Sequence, residues 1–269
     1  MKLFSTILLS TTFFVAIAQT KPTVDCRDIS AMLDGLGRVE GTARWIRVTD
    51  SLLNVCPNSA GLWGDKAVVH IVRGQYKEGF KYLEKAVELN PIYYLGYRAW
   101  YRTRYLHDYA GAIKDLDQLE KVAGSSLVYV VNAHMYLLKG TAYKEMGDHK
   151  KALELYNTAI EEQISSKGPE WVGLYDYLLR GTLKYQMGDY DGAIADFDLE
   201  VKQYETLVDT YYYRGLSYAA TSRKDEARAD LERAKELMLG QGQKRWEGYV
   251  TLPDEVFLTN IEKALLRLY

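Results

Sequence analysis

One stretch of the chain occurs twice, first as Tyr143-Lys-Glu-Met-Gly-Asp-His-Lys-Lys-Ala152 and again as Tyr185-Gln-Met-Gly-Asp-Tyr-Asp-Gly-Ala193. A third, more divergent copy places Ala227 34 residues after Ala193. This spacing equals the length of one helix–turn–helix repeat. The sequence therefore predicts a stacked array of helical repeats, whose core is an elongated seam rather than a single compact centre.

The small residues of each copy have mechanical roles. Gly147 and Gly188 are expected to end the first helix of their repeats in a left-handed conformation, which glycine adopts without steric cost. Ala152 and Ala193, five residues later, leave room for a neighbouring helix. Proline cannot continue a helix, so Pro91 is expected to close the repeat that precedes it.

The best-formed copy resembles the tetratricopeptide repeat. The residues that carry the resemblance are Trp63, Ala67, His70, Gly74, Tyr76, Gly79, Leu83, Ala86 and Pro91. The resemblance implies an all-α fold, a right-handed superhelical solenoid of antiparallel helix pairs, with an N-terminal helical hairpin and a C-terminal capping helix. It also implies that the first helices line a concave surface where a ligand can bind.

The array is predicted to span residues 60–241 in about five repeats, at roughly 60–92, 93–126, 133–166, 174–207 and 208–241. In the second repeat Trp100 occupies a position where a small residue is expected, which indicates a helix pair that is spread or shifted in register. Longer loops are expected after the second and third repeats, at Gly124-Ser-Ser126 and at Ser165-Ser-Lys-Gly-Pro169.

Residues 1–18 have the pattern of an export signal, with Lys2, an apolar run and Ala16-Ile-Ala18 as a cleavage site. We therefore expect an exported chain, periplasmic or secreted, without stable membrane insertion after cleavage. Residues 19–59 are predicted to form a helical hairpin or a degenerate repeat. A disulfide between Cys26 and Cys56 would join the two neighbouring ends of that hairpin. The alternative is a pair of buried thiols.

Residues 242–269 are predicted to form a loop, including Trp246, and then a capping helix. Pro253-Asp-Glu is a typical helix start, and the apolar residues that follow have helical spacing. The alternative is an exposed helix that binds a partner.

Composition argues against several functions. The net charge is -2, with 34 Lys and Arg interspersed among 36 Asp and Glu, so nucleic acid is an unfavourable partner. The four histidines are not spaced to share one helical face, and Asp115-Leu-Asp117 and Asp196-Phe-Asp198 are interpreted as solvated faces or local salt links. The sequence predicts no catalytic site, no metal site and no cofactor.

The remaining signal is the content of 23 tyrosines. Mapping the repeats onto the family pattern directs a set of side chains into the concave groove: Tyr97, Tyr101, Arg104, Tyr105, Lys144, Tyr185 and Tyr212. Aromatic rings with a polar tip suit recognition surfaces, although the same rings also suit packing. Arg98, Arg102 and Arg104 could form a basic patch for a carboxylate, or be ordinary helix-surface packing.

The sequence thus favours a non-catalytic interaction scaffold that holds a protein or peptide in a tyrosine-rich groove. The alternative is a carbohydrate- or cell-wall-associated binding module, for which Trp63, Trp100, Trp171 and Trp246 could stack on sugars.

Overall fold

The computed structural model describes Cys26, residues 42–240, Gly242 and residues 254–268. The predicted export signal, the first helix of the predicted hairpin and the loop at Trp246 lie outside the described residues. The chain divides into two compact units, Met1–Pro57 and Asn58–Tyr269.

The first unit contains helix α1, Ala43–Val55. The Thr42 side chain accepts a hydrogen bond from the backbone N–H of Trp45 at 3.2 Å and so caps the start of α1. The helix ends at Cys56, which forms a disulfide with Cys26 across a Cα–Cα distance of 5.7 Å. The predicted disulfide is confirmed.

The described residues of the second unit form helices and a short hairpin. Its α-helices are α2 (Ala60–Val72), α3 (Tyr76–Leu89), α4 (Pro91–Tyr101), α5 (Tyr109–Ala123), α6 (Met135–Glu145), α7 (His149–Lys167), α8 (Asp176–Gln186), α9 (Tyr190–Gln203), α10 (Val208–Ala220), α11 (Lys224–Leu239) and α12 (Leu258–Leu266). A π-helical turn, Arg102–Leu106, extends α4, and a 3₁₀ turn, Pro169–Trp171, follows α7. Strands β1 (Tyr129–Val130) and β2 (Ala133–His134) pair antiparallel.

Consecutive helices pack as five pairs, from α2 with α3 to α10 with α11, and each second helix packs on the first helix of the next pair. The expected all-α fold of stacked antiparallel helix pairs is confirmed.

Close approach within each pair depends on one small residue. A Cβ atom added to Gly140 would lie 2.6 Å from the ring of Tyr156, and one added to Gly181 would lie 2.6 Å from the ring of Phe197. Both rings are fully buried. In these two pairs the second helix therefore inserts a bulky side chain into the space that a glycine leaves on the first helix.

The second repeat contains one extra residue. Its small position is Ala99, which is fully buried, and from there to the turn residue His107 the interval is eight residues. From Gly140 to Gly147 and from Gly181 to Gly188 the interval is seven. The π-helical turn at Arg102–Leu106 absorbs the difference, because a π turn accommodates an extra residue within a helix. The predicted shift in register therefore has its cause in this turn, and Trp100 does not occupy the small position.

The turn between the paired helices has a left-handed residue in every repeat. Gly74, Gly147 and Gly188 have φ angles of 76°, 83° and 83°, while His107 and Ser222 adopt 51° and 63° at the equivalent positions. In three of these turns the next residue is an aspartate that caps the second helix, accepting a backbone N–H three residues on: Asp108, Asp148 and Asp189.

The long connections differ from the predicted loops. After the second repeat, the chain forms the β1–β2 hairpin, whose turn residues Val131 and Asn132 have φ angles of 48° and 65°. After the third repeat, α7 continues through Ser165 and Ser166, so the connection begins only at Gly168. The two serines were predicted as loop residues, but they lie in the last turns of a helix that is longer than its counterparts.

The C-terminal helix begins later than predicted. Helix α12 starts at Leu258 rather than at Pro253, and the Asn260 side chain accepts the backbone N–H of Phe257 at 2.9 Å. Its buried residues Ile261 and Leu265 pack in one cluster with α10 and α11. The helix thus covers the last repeat, as expected of a cap.

The close approach at Gly181 leads to a double-mutant prediction. Gly181→Ala should lower the free energy of unfolding by about 1–3 kcal/mol, because the new methyl group collides with the Phe197 ring. Phe197→Leu should relieve part of that loss, since a Cβ atom added to the equivalent Gly215 would lie 2.9 Å from its leucine partner, Leu231, a longer distance than the 2.6 Å at Gly181. Urea denaturation of the two single variants and the double variant measures the coupling.

Gly188→Ala is the matched control. Nothing lies within 4 Å of the added methyl group, so the expected loss of about 1 kcal/mol comes from the left-handed backbone alone. Phe197→Leu should not relieve it. Equal relief of both alanine variants would contradict the role assigned to Gly181.

Candidate functional site

The predicted groove residues of the second repeat belong to a cluster of aromatic rings. Tyr97 is half-buried on α4 and stacks on Tyr93, with ring centroids 4.9 Å apart and hydroxyl oxygens 3.2 Å apart. This hydrogen bond, together with burial, raises the pKa of Tyr97 to about 12. Arg104 and Tyr105 lie in the π-helical turn, and Tyr105 packs on Tyr76 at 6.1 Å. We call Tyr93, Tyr94, Tyr97, Trp100 and Tyr105 the second-repeat aromatic group.

Tyr101 is part of the core instead. Its side chain is 6% exposed and clusters with Ala67 and Ile71 of α2 and Leu83 of α3. It therefore fills the space between the first and second helix pairs. The assignment of Tyr101 to an accessible groove is corrected, because the residue is enclosed by α2 and α3.

Lys144 is also buried, with 8% exposure. Its ammonium nitrogen lies 3.1 Å from a carboxylate oxygen of Asp254 and 3.3 Å from one of Glu145. Burial favours the neutral amine and is the largest single effect, but Asp254, Tyr156 and Glu145 together outweigh it and raise the pKa of Lys144. The predicted groove lysine thus lies on the first helix of its repeat, α6, where it is already paired with a carboxylate of the same chain.

Tyr185 and Tyr212 lie around the same C-terminal segment. Both are half-buried, and both pack on Tyr213, with centroid distances of 6.1 and 5.1 Å. The hydroxyl of Tyr213 donates a hydrogen bond to the backbone carbonyl of Asp254 at 2.9 Å. Burial raises the pKa of Tyr185 and of Tyr212, while the nearby charge of Arg267 opposes the shift. The structure therefore divides the predicted groove set into two groups.

Two of the three arginines, Arg98 and Arg102, are paired with acids and do not form an open basic patch. Arg98 makes two hydrogen bonds to Asp115, at 2.6 and 2.9 Å, and Arg102 pairs with Asp108 and Asp115. Equivalent pairs join Arg180 to Asp196 and Arg214 to Asp230 in later repeats. Asp115 and Asp196 are buried, so each forms a salt link between helices and does not belong to a solvated helix face.

The sequence interpretation missed a cavity beside the second-repeat aromatic group. It has a volume of about 300 Å³ and lies between the start of α4 and the β1–β2 hairpin, with Tyr93, Tyr97, Val131 and Asn132 in its lining. The hairpin was predicted as a loop, so its residues were not expected to lie against α4. The positive φ of Val131, which is unusual for a β-branched residue, marks this hairpin in the structure but cannot be read from the sequence.

Two family models of the tetratricopeptide repeat match the chain, one over residues 60–93 and 133–163 and the other over residues 178–237. The chain is a tetratricopeptide repeat protein.

Solved structures share the fold of this tetratricopeptide repeat protein at low sequence identity. A tetratricopeptide repeat protein from Parabacteroides merdae is 17% identical with a TM-score of 0.54, over 90% of this chain and 80% of that one. PilF from Pseudomonas aeruginosa is 16% identical with a TM-score of 0.62, over 80% and 91%. PilW, a type IV pilus biogenesis factor, is 13% identical with a TM-score of 0.64, over 79% and 94%. No curated protein sequence matches the chain.

Two further properties concern only the described part of the repeat protein. Within it, no group of three or more His, Cys, Asp and Glu side chains could hold a metal ion. Over the same residues, no helix has both the length and the apolar character of a membrane span.

Two buried acids of the fourth repeat form hydrogen bonds at the start of α8. Glu200, on α9, is fully buried and accepts the backbone N–H groups of Tyr175 and Leu178, so it caps the start of α8 from another helix. Asp176 accepts a hydrogen bond from the side chain of Gln163 at 2.7 Å. Burial raises the pKa of Glu200 to about 7 and that of Asp176 to about 6. These shifts make the stability of the repeat protein depend on pH.

The direction in which stability changes with pH follows from proton linkage. A raised pKa means that the folded state holds the proton at a pH where the unfolded state has lost it, so acidification stabilises the fold. The contribution of Glu200 and Asp176 to the free energy of unfolding is fully present below the pKa values that these groups have in the unfolded chain. It is lost as the pH rises through about 6 to 7. Buried His134 acts in the opposite direction, because burial lowers its pKa.

We expect Glu200→Gln to reduce the fall in the free energy of unfolding between pH 5 and pH 8, because one of the two raised groups no longer titrates. Urea denaturation across this range measures the slope. Glu236→Gln, which changes an exposed carboxylate on α11, is the control and should keep the wild-type slope. An unchanged slope in the Glu200 variant would contradict the assignment.

Proposed function

We propose that this protein is an exported, non-catalytic scaffold that binds a protein or peptide partner on the tyrosine-rich surface of its first helices. The tetratricopeptide repeat fold is that of a protein–protein interaction scaffold. Its regular positions are used for packing between helices. Specificity must therefore come from side chains that the repeat pattern does not require.

The observation that carries the proposal is the second-repeat aromatic group. It places five aromatic rings on α4 and the π-helical turn, and Tyr93 remains 52% exposed. Tyrosine rings bring a large contact area at a low entropic cost, and their hydroxyls can bond to a partner's backbone. Arg104, in the same turn, adds a positive charge to this surface.

Export is supported by two independent features. The apolar run after Lys2 has the composition of an export signal. The disulfide between Cys26 and Cys56 is typical of proteins that fold in an oxidising compartment. Both features fit the periplasm or secretion.

The absence of a catalytic role is proposed from the contacts of the histidines. His70 packs on the Tyr82 ring at 5.2 Å, and His107 contacts the hydroxyl of Tyr109 at 2.9 Å. His134 is fully buried against Glu162, at 3.0 Å. Each of these rings is used in packing or in a local hydrogen bond, which is the pattern of structural residues.

The binding proposal is tested by crosslinking pull-down from an envelope extract with the full chain. The variant Tyr97→Ala/Arg104→Gln/Tyr105→Ala should lose most of the crosslinked partner, because it removes two of the five rings and the charge at the proposed surface. Tyr82→Ala, which removes a half-buried tyrosine from the second helix α3, should retain it. Retention by the triple variant would place the partner elsewhere.

A second candidate function is carbohydrate binding, which one observation favours. Trp171 is 61% exposed, and the Lys167 ammonium nitrogen lies 5.9 Å from its ring and 4.7 Å from the ring of Tyr129. Exposed rings flanked by a polar group suit stacking on a sugar. Trp63 and Trp100, by contrast, pack against the core cluster of the first two repeats.

A glycan array separates the two candidates. If the second candidate is correct, the wild-type protein should bind one class of glycan and Trp171→Ala should lose that signal, because stacking on an aromatic ring is the proposed contact. Trp63→Phe serves as the control. A blank array with the wild-type protein would remove the carbohydrate proposal.

A further inference from the structure

The C-terminal segment reaches far across the repeats before α12 begins. Asp254 contacts Lys144 of the third repeat through its carboxylate and Tyr213 of the fifth repeat through its backbone carbonyl. Lys144 and Asp254 are 110 residues apart in the chain. Both contacting residues lie on first helices, α6 and α10, so the segment crosses the surface predicted to receive a partner. We call Lys144 and Tyr213 the Lys144 subsite.

A second anchor follows two residues later. Val256 is 1% exposed and belongs to the buried cluster that contains Val208 and Tyr211 of α10 and Ile261 of α12. Phe257, which follows it, is 44% exposed. The segment therefore presents an acid and an apolar side chain, two positions apart, to the first helices. In an extended chain, residues two apart point to the same side.

The chemistry of the subsite requires an acid at the first of these positions. Lys144 has a side-chain exposure of 7%, and a buried ammonium group is stable only when it is paired. Glu145 supplies part of that pairing at 3.3 Å, and Asp254 supplies the closer carboxylate at 3.1 Å. An occupant without a carboxylate would leave the ammonium group with one partner fewer.

We propose that the Lys144 subsite is a peptide-binding subsite, that residues 254–257 occupy it as an internal ligand, and that the partner displaces them with an acidic residue followed two positions later by an apolar one. This rests on the function proposed above and names the chemistry of the partner. Helix α12 stays on α11 during the exchange, because its own buried residues Ile261 and Leu265 hold it there.

The subsite also binds the backbone of its occupant. The Tyr213 hydroxyl donates to the carbonyl of the acidic residue itself, at 2.9 Å. An ion pair, a backbone hydrogen bond and an apolar contact within three residues specify a short extended motif. Binding should weaken with salt, because the ion pair contributes to it.

The test uses a fluorescein-labelled heptapeptide, Leu-Pro-Asp-Glu-Val-Phe-Leu, which has the sequence of residues 252–258. Fluorescence anisotropy measures its binding to the full chain. Asp254→Asn/Val256→Ala weakens both anchors of the internal ligand and should bind the peptide at least about tenfold more tightly than the wild type, because the subsite is no longer occupied for most of the time. A peptide with Asn at the Asp position should show no such gain.

Two variants complete the design. Lys144→Met in the Asp254→Asn/Val256→Ala background should abolish the gain, and circular dichroism checks that it is folded. Glu262→Gln, which breaks an ion pair with Lys235 at 3.3 Å on the same C-terminal helix, should bind as the wild type does.

Equal peptide affinity in the wild type and the double variant, or a gain that survives Lys144→Met, would overturn the proposal. Because the peptide comes from the chain itself, that result would leave the capture of a partner by the second-repeat aromatic group untouched. The two proposals can therefore fail separately.

Discussion

The fold depends on the distance at which two helices can pack when one of them carries a glycine or an alanine. Tyr156 and Phe197 are fully buried because Gly140 and Gly181 leave space for their rings. The van der Waals contact of the ring with the first helix sets the spacing of the two helices in a pair. The pair then presents a regular face to the next pair. The row of first helices, and hence the candidate surface, follows from this repeated contact.

The same constraint explains where the second repeat departs from the others. Its extra residue cannot shift Ala99 out of the small position without separating the helices, so the chain absorbs it between Ala99 and His107. The π-helical turn that results carries Arg104 and Tyr105, two residues with no role in the repeat pattern. A requirement of packing thus produces an irregular turn at the place where aromatic and basic side chains accumulate.

The sequence predicts the features that recur in each repeat better than it predicts contacts that lie outside the repeat pattern. The period and the small residues were sufficient for the helix pairs and their turns. For the two cysteines the sequence left a disulfide and a pair of buried thiols open, and the structure has the disulfide. The β1–β2 hairpin was not predictable, because its two-residue strands are too short to show alternation. Tyr101 and Tyr105 lie four residues apart and were both predicted as groove residues. Only Tyr101 is enclosed by α2 and α3, and the residue type does not distinguish the two.

Asp254 shows the same limit most clearly. From sequence, an acid after Pro253 favours a helix start, because a carboxylate stabilises the positive end of a helix. In the structure, its carboxylate instead pairs with a lysine of the third repeat.

The pairing of Lys144 with Asp254 sets a condition on any ligand of this surface. Removing one partner of a buried ion pair costs about 3–5 kcal/mol where the remaining charge has no other partner. Here the Glu145 carboxylate, 3.3 Å from the Lys144 nitrogen, offsets part of that cost. A ligand that displaces residues 254–257 avoids this cost only by bringing its own carboxylate to the Lys144 nitrogen. An apolar or basic peptide would face the remaining cost and leave the internal ligand in place. The buried lysine therefore selects among ligands through the cost of losing its closer carboxylate partner.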